Sequence, residues 1–359
     1  MERCAVTGAN GFIGSNVVRE LLRRGVEVTA LVGADLDLEN LSGLPIKVRE
    51  VDVLEPRSVR LALEGASHLV HTAACYAFWS ADPELPYRVN VEGTRNVLEA
   101  ALDAGVEKVV YTSSTATLSP PFRLRGDADA PIDESDVLDV RRFLGPYKTS
   151  KAMAEGVALR MAARGLPLVT VHPTTVLGPG DRRPTPTGTI IVHFLEGRMK
   201  AYVDLWQNLV DVEDVARGHV LALERGARGE RFILGGDNLS MRELVRTLAE
   251  LTGRRPPRIA IPRAVMRGVA HVNEALSRRT GREPLVPLEA ILHAGDSRPV
   301  RCDRAREALG YRARPARAVL TRALRWFVAQ GHGEPELAAR LEDEAAAAGD
   351  VTLQAARGG

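Results

Sequence analysis

Tyr147 and Lys151 stand four apart in the run Tyr147-Lys148-Thr149-Ser150-Lys151, a spacing that puts both side chains on one face of a helix, one turn from each other. A phenol with an ordinary pKa near ~10 is a poor general acid-base at neutral pH, and an adjacent ammonium favours the phenolate and brings it toward the working range. Lysine is scarce here: the chain has five, Lys47, Lys108, Lys148, Lys151 and Lys200, and its other side-chain cations are arginine. Two lysines beside one tyrosine in so arginine-biased a chain point to a need for a compact, tunable ammonium. An exposed Tyr/Lys pair without a chemical role is the competing reading. A second cluster, Tyr111-Thr112-Ser113-Ser114-Thr115, closes an apolar run and offers hydroxyls that can hold a substrate oxygen, or that simply cap a following helix.

A different chemistry is written near the N-terminus. Thr7-Gly8-Ala9-Asn10-Gly11-Phe12-Ile13-Gly14 is a G-x-x-G-x-x-G turn between an apolar run and an amphipathic one. Glycines allow a tight turn and a close approach of backbone to a pyrophosphate, and the helix beyond offers unpaired N–H groups to the anion. A glycine-rich turn that binds nothing is the alternative, made less attractive by the complete strand-helix-strand unit around it. The expected ligand is therefore a dinucleotide, NAD or NADP.

These residues need a frame. Cys4 to Val6, Val26 to Val32, Ile46 to Val51, Leu69 to Thr72, Val109 to Thr112, Leu168 to Val171 and Phe232 to Leu234 read as strands, separated by amphipathic stretches. The alternation predicts an α/β fold, a Rossmann doubly wound parallel sheet, with a smaller interwoven C-terminal lobe. Residues 1–172, rejoined by about 209–235, form the expected NAD(P)-binding unit. Residues 173–208 and 236–332 form the expected substrate-binding lobe, with helices near 240–252 and 316–330, and 333–359 a solvated helix or disordered tail. The third strand ends in Asp52-Val53, where an acid can bond an adenine amino group, and the fourth in Ala73-Ala74, which leave room for ribose and nicotinamide. The second strand ends in Val32-Gly33, without the usual acid or arginine for the ribose. Asp35 and Asp37 just beyond would repel a 2′-phosphate, so the reading leans to NAD.

Lys plus Arg number 48 against 46 Asp plus Glu, a net charge of +2 with the charges interspersed along the chain, which argues against a nucleic-acid partner. No apolar run reaches the ~18 residues of a membrane span and no signal core follows the N-terminus, so the expected location is cytoplasmic. Cys4, Cys75 and Cys302 are too few and too scattered for a disulfide framework, and with the histidines they show no metal-ligand spacing. A small-molecule substrate is the expected partner, and a homodimer the expected assembly.

TGANGFIG, the Ala73-Ala74 pair, YTSS, YKTSK and NLVDVEDVA together resemble the extended short-chain dehydrogenase/reductases, the NAD-dependent epimerase/dehydratase superfamily, over roughly residues 3 to 330. The stretches CYAFWSADPELPYRVNVEGTRNVLEAAL and PTPTGTIIVHFLEGRMKAYVD are similar to the dihydroflavonol-4-reductase-like branch, and within it to the hopanoid-associated sugar epimerase group. The resemblance implies Ser114, Tyr147 and Lys151 as catalytic residues, with Ser113 an alternative for the first. It implies cofactor contacts at Gly8, Asn10, Gly11, Phe12, Ile13, Gly14, Asp52, Val53, Ala73, Ala74, Tyr147 and Lys151, and a nicotinamide contact at Pro173-Thr174. Relatives in this branch usually read LVR where this chain reads Leu31-Val32-Gly33, which departs from their NADP preference. The functions that follow are a reductase or dehydrogenase of a carbonyl/alcohol pair, a nucleotide-sugar epimerase or dehydratase with retained NAD and a diphosphate clamp drawn from Arg182, Arg183 and Arg198, and a non-catalytic dinucleotide sensor. Tyr76, Phe78, Trp79, Thr187, His193, Arg198, Tyr202 and Trp206 form the expected cleft wall.

Overall fold

The computed structural model describes residues 1–34, 37–118, 130–136, 145–282, 284, 287–295 and 298–347. Its first elements are β1 (Arg3–Thr7), α1 (Phe12–Arg23), β2 (Glu27–Val32), β3 (Lys47–Glu50), α2 (Pro56–Ala62) and β4 (His68–His71). Then come α3 (Leu85–Tyr87), running through a π-helical turn over Arg88–Gly93 into α4 (Thr94–Asp103), β5 (Lys108–Thr112), α5 (Pro146–Ala163) and β6 (Leu168–Pro173). The chain continues with β7 (Thr175–Leu177), α6 (Pro186–Leu195), β8 (Ala201–Tyr202), β9 (Trp206–Asp211), α7 (Val212–Arg225), β10 (Arg231–Leu234), β11 (Asp237–Ser240) and α8 (Met241–Thr252). It closes with β12 (Ile259–Ala260), α9 (Arg263–Thr280), α10 (Leu288–Gly295), α11 (Asp303–Leu309), α12 (Ala316–Ala329) and α13 (Leu337–Ala347).

Seven strands form one parallel sheet in the order β10-β6-β5-β4-β1-β2-β3. They are the seven strands expected from the apolar runs: the inner ones are covered on both faces and apolar, as in β6, where all six residues are buried, whereas the edge strand β3, Lys-Val-Arg-Glu, is exposed throughout. One face packs Val17, Val18 and Leu21 of α1 with Val215 and Val220 of α7; the other packs Val59 of α2, Val97 and Leu98 of α4 and Met161 of α5. Strand order reverses between β1 and β4, which opens a crevice at their carboxyl ends.

A second layer holds the sheet β11-β9-β7, the pair β12-β8 and helices α6, α8, α12 and α13, around Leu177, Leu195, Leu209, Leu248, Leu324 and Phe327. Arg322 of α12 is fully buried and ties this layer to α7, its Nε 2.8 Å from Asp211 and its Nη2 2.7 Å from Glu213. The stretch expected as a solvated tail differs up to Ala347: Leu337, Leu341 and Ala345 of α13 are buried against α8 and α12. Three small or apolar residues spaced four apart in an alanine-rich run make a weak stripe, and only the groove that receives it makes it a core element. Residues 348–359 lie outside the described residues.

Candidate active site

The glycine turn is built by backbone crowding. Gly8 has φ +63°, and a Cβ on it would stand 2.8 Å from the Ala73 backbone; a Cβ on Gly14 would stand 2.1 Å from the Gly8 carbonyl oxygen. Gly11 differs: it is exposed, it is the N-cap of α1, and no side chain caps the first turn of the helix. Phe12 and Ile13 are half-buried behind it. Ala73 donates its N–H to Thr7 Oγ1 at 3.3 Å, and His71 Nδ1 lies 2.7 Å from the same oxygen, so the ends of β1 and β4 are locked together. Asn10 turns outward and donates to the Asp37 carbonyl at 3.0 Å, Asp52 is exposed and accepts from the Leu54 N–H, and Ala74 is exposed beside Ala73. Val53 is packed under Gly93, where a Cβ would meet its Cγ2 at 2.8 Å. Pro173 ends β6 and Thr174 follows it, with Thr174 N–H bonded to Leu234 O at 3.3 Å.

Tyr147, Lys151 and Glu155 line one face of α5, and all three are buried. Ser114, two residues past the end of β5, stands close enough to the Tyr147 hydroxyl to favour its ionised form. Ser113, the alternative, is instead committed to structure: its Oγ donates to Glu155 Oε2 at 2.6 Å. Glu155 also meets His172 at 3.0 Å and Arg231 at 2.7 Å. Burial opposes its ionisation, but His172, Arg231 and the Ser113 hydroxyl hold its carboxyl well below the ordinary range. Lys151 Nζ donates to the Thr112 carbonyl at 2.8 Å. Burial lowers Lys151 to about 8, with Glu155 pulling the other way. Burial is also the main force on Tyr147: it pushes the phenol above its ordinary range, Tyr76 adds to the rise and Ser114 opposes it. The depression of the phenol expected from the lysine is thus not seen in the protein alone, where desolvation dominates.

Two supports of this tyrosine had no signal in the spacing. Asn90, in the π-helical turn, donates to Ser150 Oγ at 2.9 Å, and Ser150 Oγ donates to the Tyr147 carbonyl. Glu289 at the start of α10 accepts from the Lys148 N–H at 2.7 Å and the Tyr147 N–H at 3.2 Å, and so caps α5 from 142 residues away. Gly145, at φ +122°, is where this carboxylate enters, since a Cβ there would stand 2.2 Å from its Cδ. Burial raises Glu289 to about 7, against the two N–H bonds.

Of the expected wall, Tyr76 and Phe78 gather on Tyr147, with ring centroids 5.0 and 5.7 Å away, and Thr187 stands near the Tyr76 hydroxyl. Tyr202 instead lies in the core of the second layer, Arg198 is exposed and paired with Glu196, and Trp206 is exposed at the start of β9. At the end of β2, Gly33 is half-buried, Asp35 lies outside the described residues, and Asp37 and Glu39 are paired with Arg182. Arg49 donates to the carbonyls of Leu61, Ala62 and Glu64 at the end of α2 and is not turned to the crevice. Among the described residues no group of three His, Cys, Asp or Glu could hold a metal ion.

A doubly wound parallel sheet with a glycine turn at its switch point is the architecture of the dinucleotide-binding α/β class. The chain belongs to the NAD-dependent epimerase/dehydratase family, whose model matches residues 4–235, and so to the extended short-chain dehydrogenases/reductases. A protein of Synechocystis sp. that carries a provisional dihydroflavonol 4-reductase name is 40% identical, over 91% of this chain and 94% of its own. The crystal structure of gox2253 superposes with a TM-score of 0.81 at 41% identity, covering 93% of this chain and all of that one. A nucleoside-diphosphate-sugar epimerase from Pseudomonas aeruginosa gives a TM-score of 0.76 at 28% identity, covering 93% of this chain and 99% of its own.

Proposed function

We propose that this protein is an NAD(P)-dependent reductase or dehydrogenase of a carbonyl/secondary alcohol pair, with Ser114, Tyr147 and Lys151 as its catalytic residues. The observation that carries the proposal is the placement of Tyr147 and Lys151 one helical turn apart on the buried face of α5, with Ser114 beside the phenol just past the carboxyl end of β5. That uncapped, exposed turn, where Gly11 leaves the space a side chain would fill, fits a pyrophosphate. Gly8, Asn10, Gly11, Phe12, Ile13 and Gly14 would hold it, Asp52, Val53, Ala73 and Ala74 the adenosine and ribose side, and Pro173 and Thr174 the nicotinamide end. When bound, the dinucleotide supplies or takes up the hydride. Ser114 holds the substrate oxygen, Tyr147 gives its phenolic proton to that oxygen as a carbonyl becomes an alcohol, and the Lys151 charge stabilises the phenolate left behind. Tyr76 and Phe78 form an apolar wall over the same phenol, which suits a substrate with an apolar or aromatic skeleton.

The epimerase alternative is less well served. Arg182 is paired with Asp37 and Glu39, and Arg198 with Glu196, so two of the three arginines considered for a diphosphate clamp are engaged with acids. We take NAD as the preferred cofactor, since Gly33 offers no side chain to a 2′-phosphate and Arg182 is neutralised.

The test is turnover of NADH and NADPH with a panel of aromatic and alicyclic carbonyl compounds, alongside UDP-sugars. Cofactor consumed with a carbonyl compound supports the reading. Tightly retained cofactor with sugar inversion and no net consumption overturns it. Tyr147→Phe should lower turnover at least ~10²-fold while cofactor affinity by calorimetry stays nearly intact, because only the proton donor is removed.

A further inference from the structure

The near-neutral balance of the chain conceals one strongly polarised segment. Residues 254–282 contain eight arginines, no lysine or aspartate and one glutamate, a net charge of +7 in a chain whose total is +2. The segment comprises β12, α9 and the loop before β12. Arg255, Arg258, Arg267 and Arg279 are exposed.

The helix in this segment is turned the wrong way for a core element. Its buried side carries Met266, Ala270, Asn273, Glu274 and Ser277, while Val265 (56% exposed), Val269 (44%), Val272 (62%) and Leu276 (55%) face outward. At 3.6 residues per turn these four project within about 60° of one another, a continuous apolar stripe with Arg279 at its margin. Just ahead of the helix, Ile259 is 63% exposed and lies on the rim of a cavity of about 410 Å³. Lys200, Arg254, Arg255 and Arg258 line this cavity, with Met199 and Phe194 at its apolar side. Glu334, paired with Arg254 at 2.7 Å, leaves the lining cationic.

We infer that α9, together with the cationic cavity ahead of it, is a docking surface for an anionic lipid bilayer. An exposed apolar stripe is costly in water and is stabilised at the boundary of headgroups and acyl chains, and Arg279 at its margin with Arg255 and Arg258 ahead of it are drawn to the negative leaflet. The cavity has the size and charge to take a phosphate headgroup, and Ile259 would enter the interface beside it. Charge decides the occupant. A second copy of this chain would bring another +7 segment against the first, so self-association through this face is opposed by repulsion, whereas an anionic surface is attracted. The helix lies on the surface and does not cross it, since no helix among the described residues is long and apolar enough to span.

The experiment is co-sedimentation of the full chain with vesicles of phosphatidylcholine alone and of phosphatidylcholine mixed with phosphatidylglycerol, at low and high salt. Binding to the mixed vesicles at least tenfold tighter than to the neutral ones, and weakened by salt, is expected. Arg255→Gln/Arg258→Gln should weaken it roughly tenfold or more. Val269→Ser/Leu276→Ser should weaken it at both salt concentrations, because the apolar contribution is not screened. All four positions are exposed, and an unchanged melting transition verifies that each variant is folded. Equal affinity for both vesicle types, no binding, or variants that bind like the parent overturns the proposal. So does competition by millimolar inorganic phosphate that abolishes vesicle binding entirely, which makes the cavity a site for a free anion. A dimer that dissociates in the Val269→Ser/Leu276→Ser variant also overturns it, assigning the stripe to a second copy.

Discussion

Lys151 sets the pH range in which the proposed chemistry can run. Its pKa is lowered by burial to about 8, so the ammonium dominates below that pH and the neutral amine above it. Since the charge is what steadies the tyrosinate, kcat/KM should fall as pH rises through about 8, the value belonging to the free protein. Lys151→Arg cannot lose its proton in this range, so the alkaline limb should vanish from its profile even though its planar head costs rate. A limb that stays at the same pH in the arginine variant assigns it to another group. The tyrosine and lysine were legible from their spacing because i, i+4 geometry is a local property of a helix. Glu289 and Asn90, which hold the start and the side of that helix, were not, because neither distance along the chain nor residue type marks a cap supplied from 142 residues away.

At the scale of elements, the turn between β1 and α1 separates two uses of glycine that the sequence writes identically. Gly14 sits against the Gly8 carbonyl, and a methyl group there has only backbone to push on, so Gly14→Ala should cost about 1–3 kcal/mol or more of stability as α1 is forced off the sheet. Gly11 is exposed with a single contact, the Gly8 carbonyl oxygen 3.1 Å from its would-be Cβ. Gly11→Val should leave the denaturant midpoint nearly unchanged and remove dinucleotide binding in calorimetry, since its side chain fills the space a pyrophosphate needs. The end of β2 is the other decisive element. NADH should bind at least as tightly as NADPH to the native protein, and Gly33→Arg should shift the preference toward NADPH by about 5- to 150-fold, the effect of a planar donor fork on a phosphate. A native preference of tenfold or more for NADPH would mean that Arg182 leaves Asp37 and Glu39 to meet the 2′-phosphate.

At the scale of the molecule, the two layers are joined by the buried pair Arg322–Asp211, with Asp211 also the N-cap of α7. Removing the cation leaves the buried Asp211 to Arg314 alone, 3.2 Å away, so Arg322→Ala should destabilise the protein by about 1–3 kcal/mol in urea unfolding, less than the loss of a whole buried pair's compensation; a cost below ~1 kcal/mol would show that the layers hold without it. The sequence by itself determined the seven strands of the large sheet, the glycine turn and the Tyr/Lys pair, since each rests on periodicity or spacing within a few residues. The small sheets, with strands as short as two residues in β8 and β12, left no periodic trace. Only the tertiary structure decided which serine meets the tyrosine. Ser113 and Ser114 are adjacent and alike just past the end of β5, and the fold commits the first to Glu155 and leaves the second beside Tyr147. It also decided that the tail helix is core and that the stripe of α9 is surface, because burial depends on what a face meets, and a helix's own sequence does not state its neighbour.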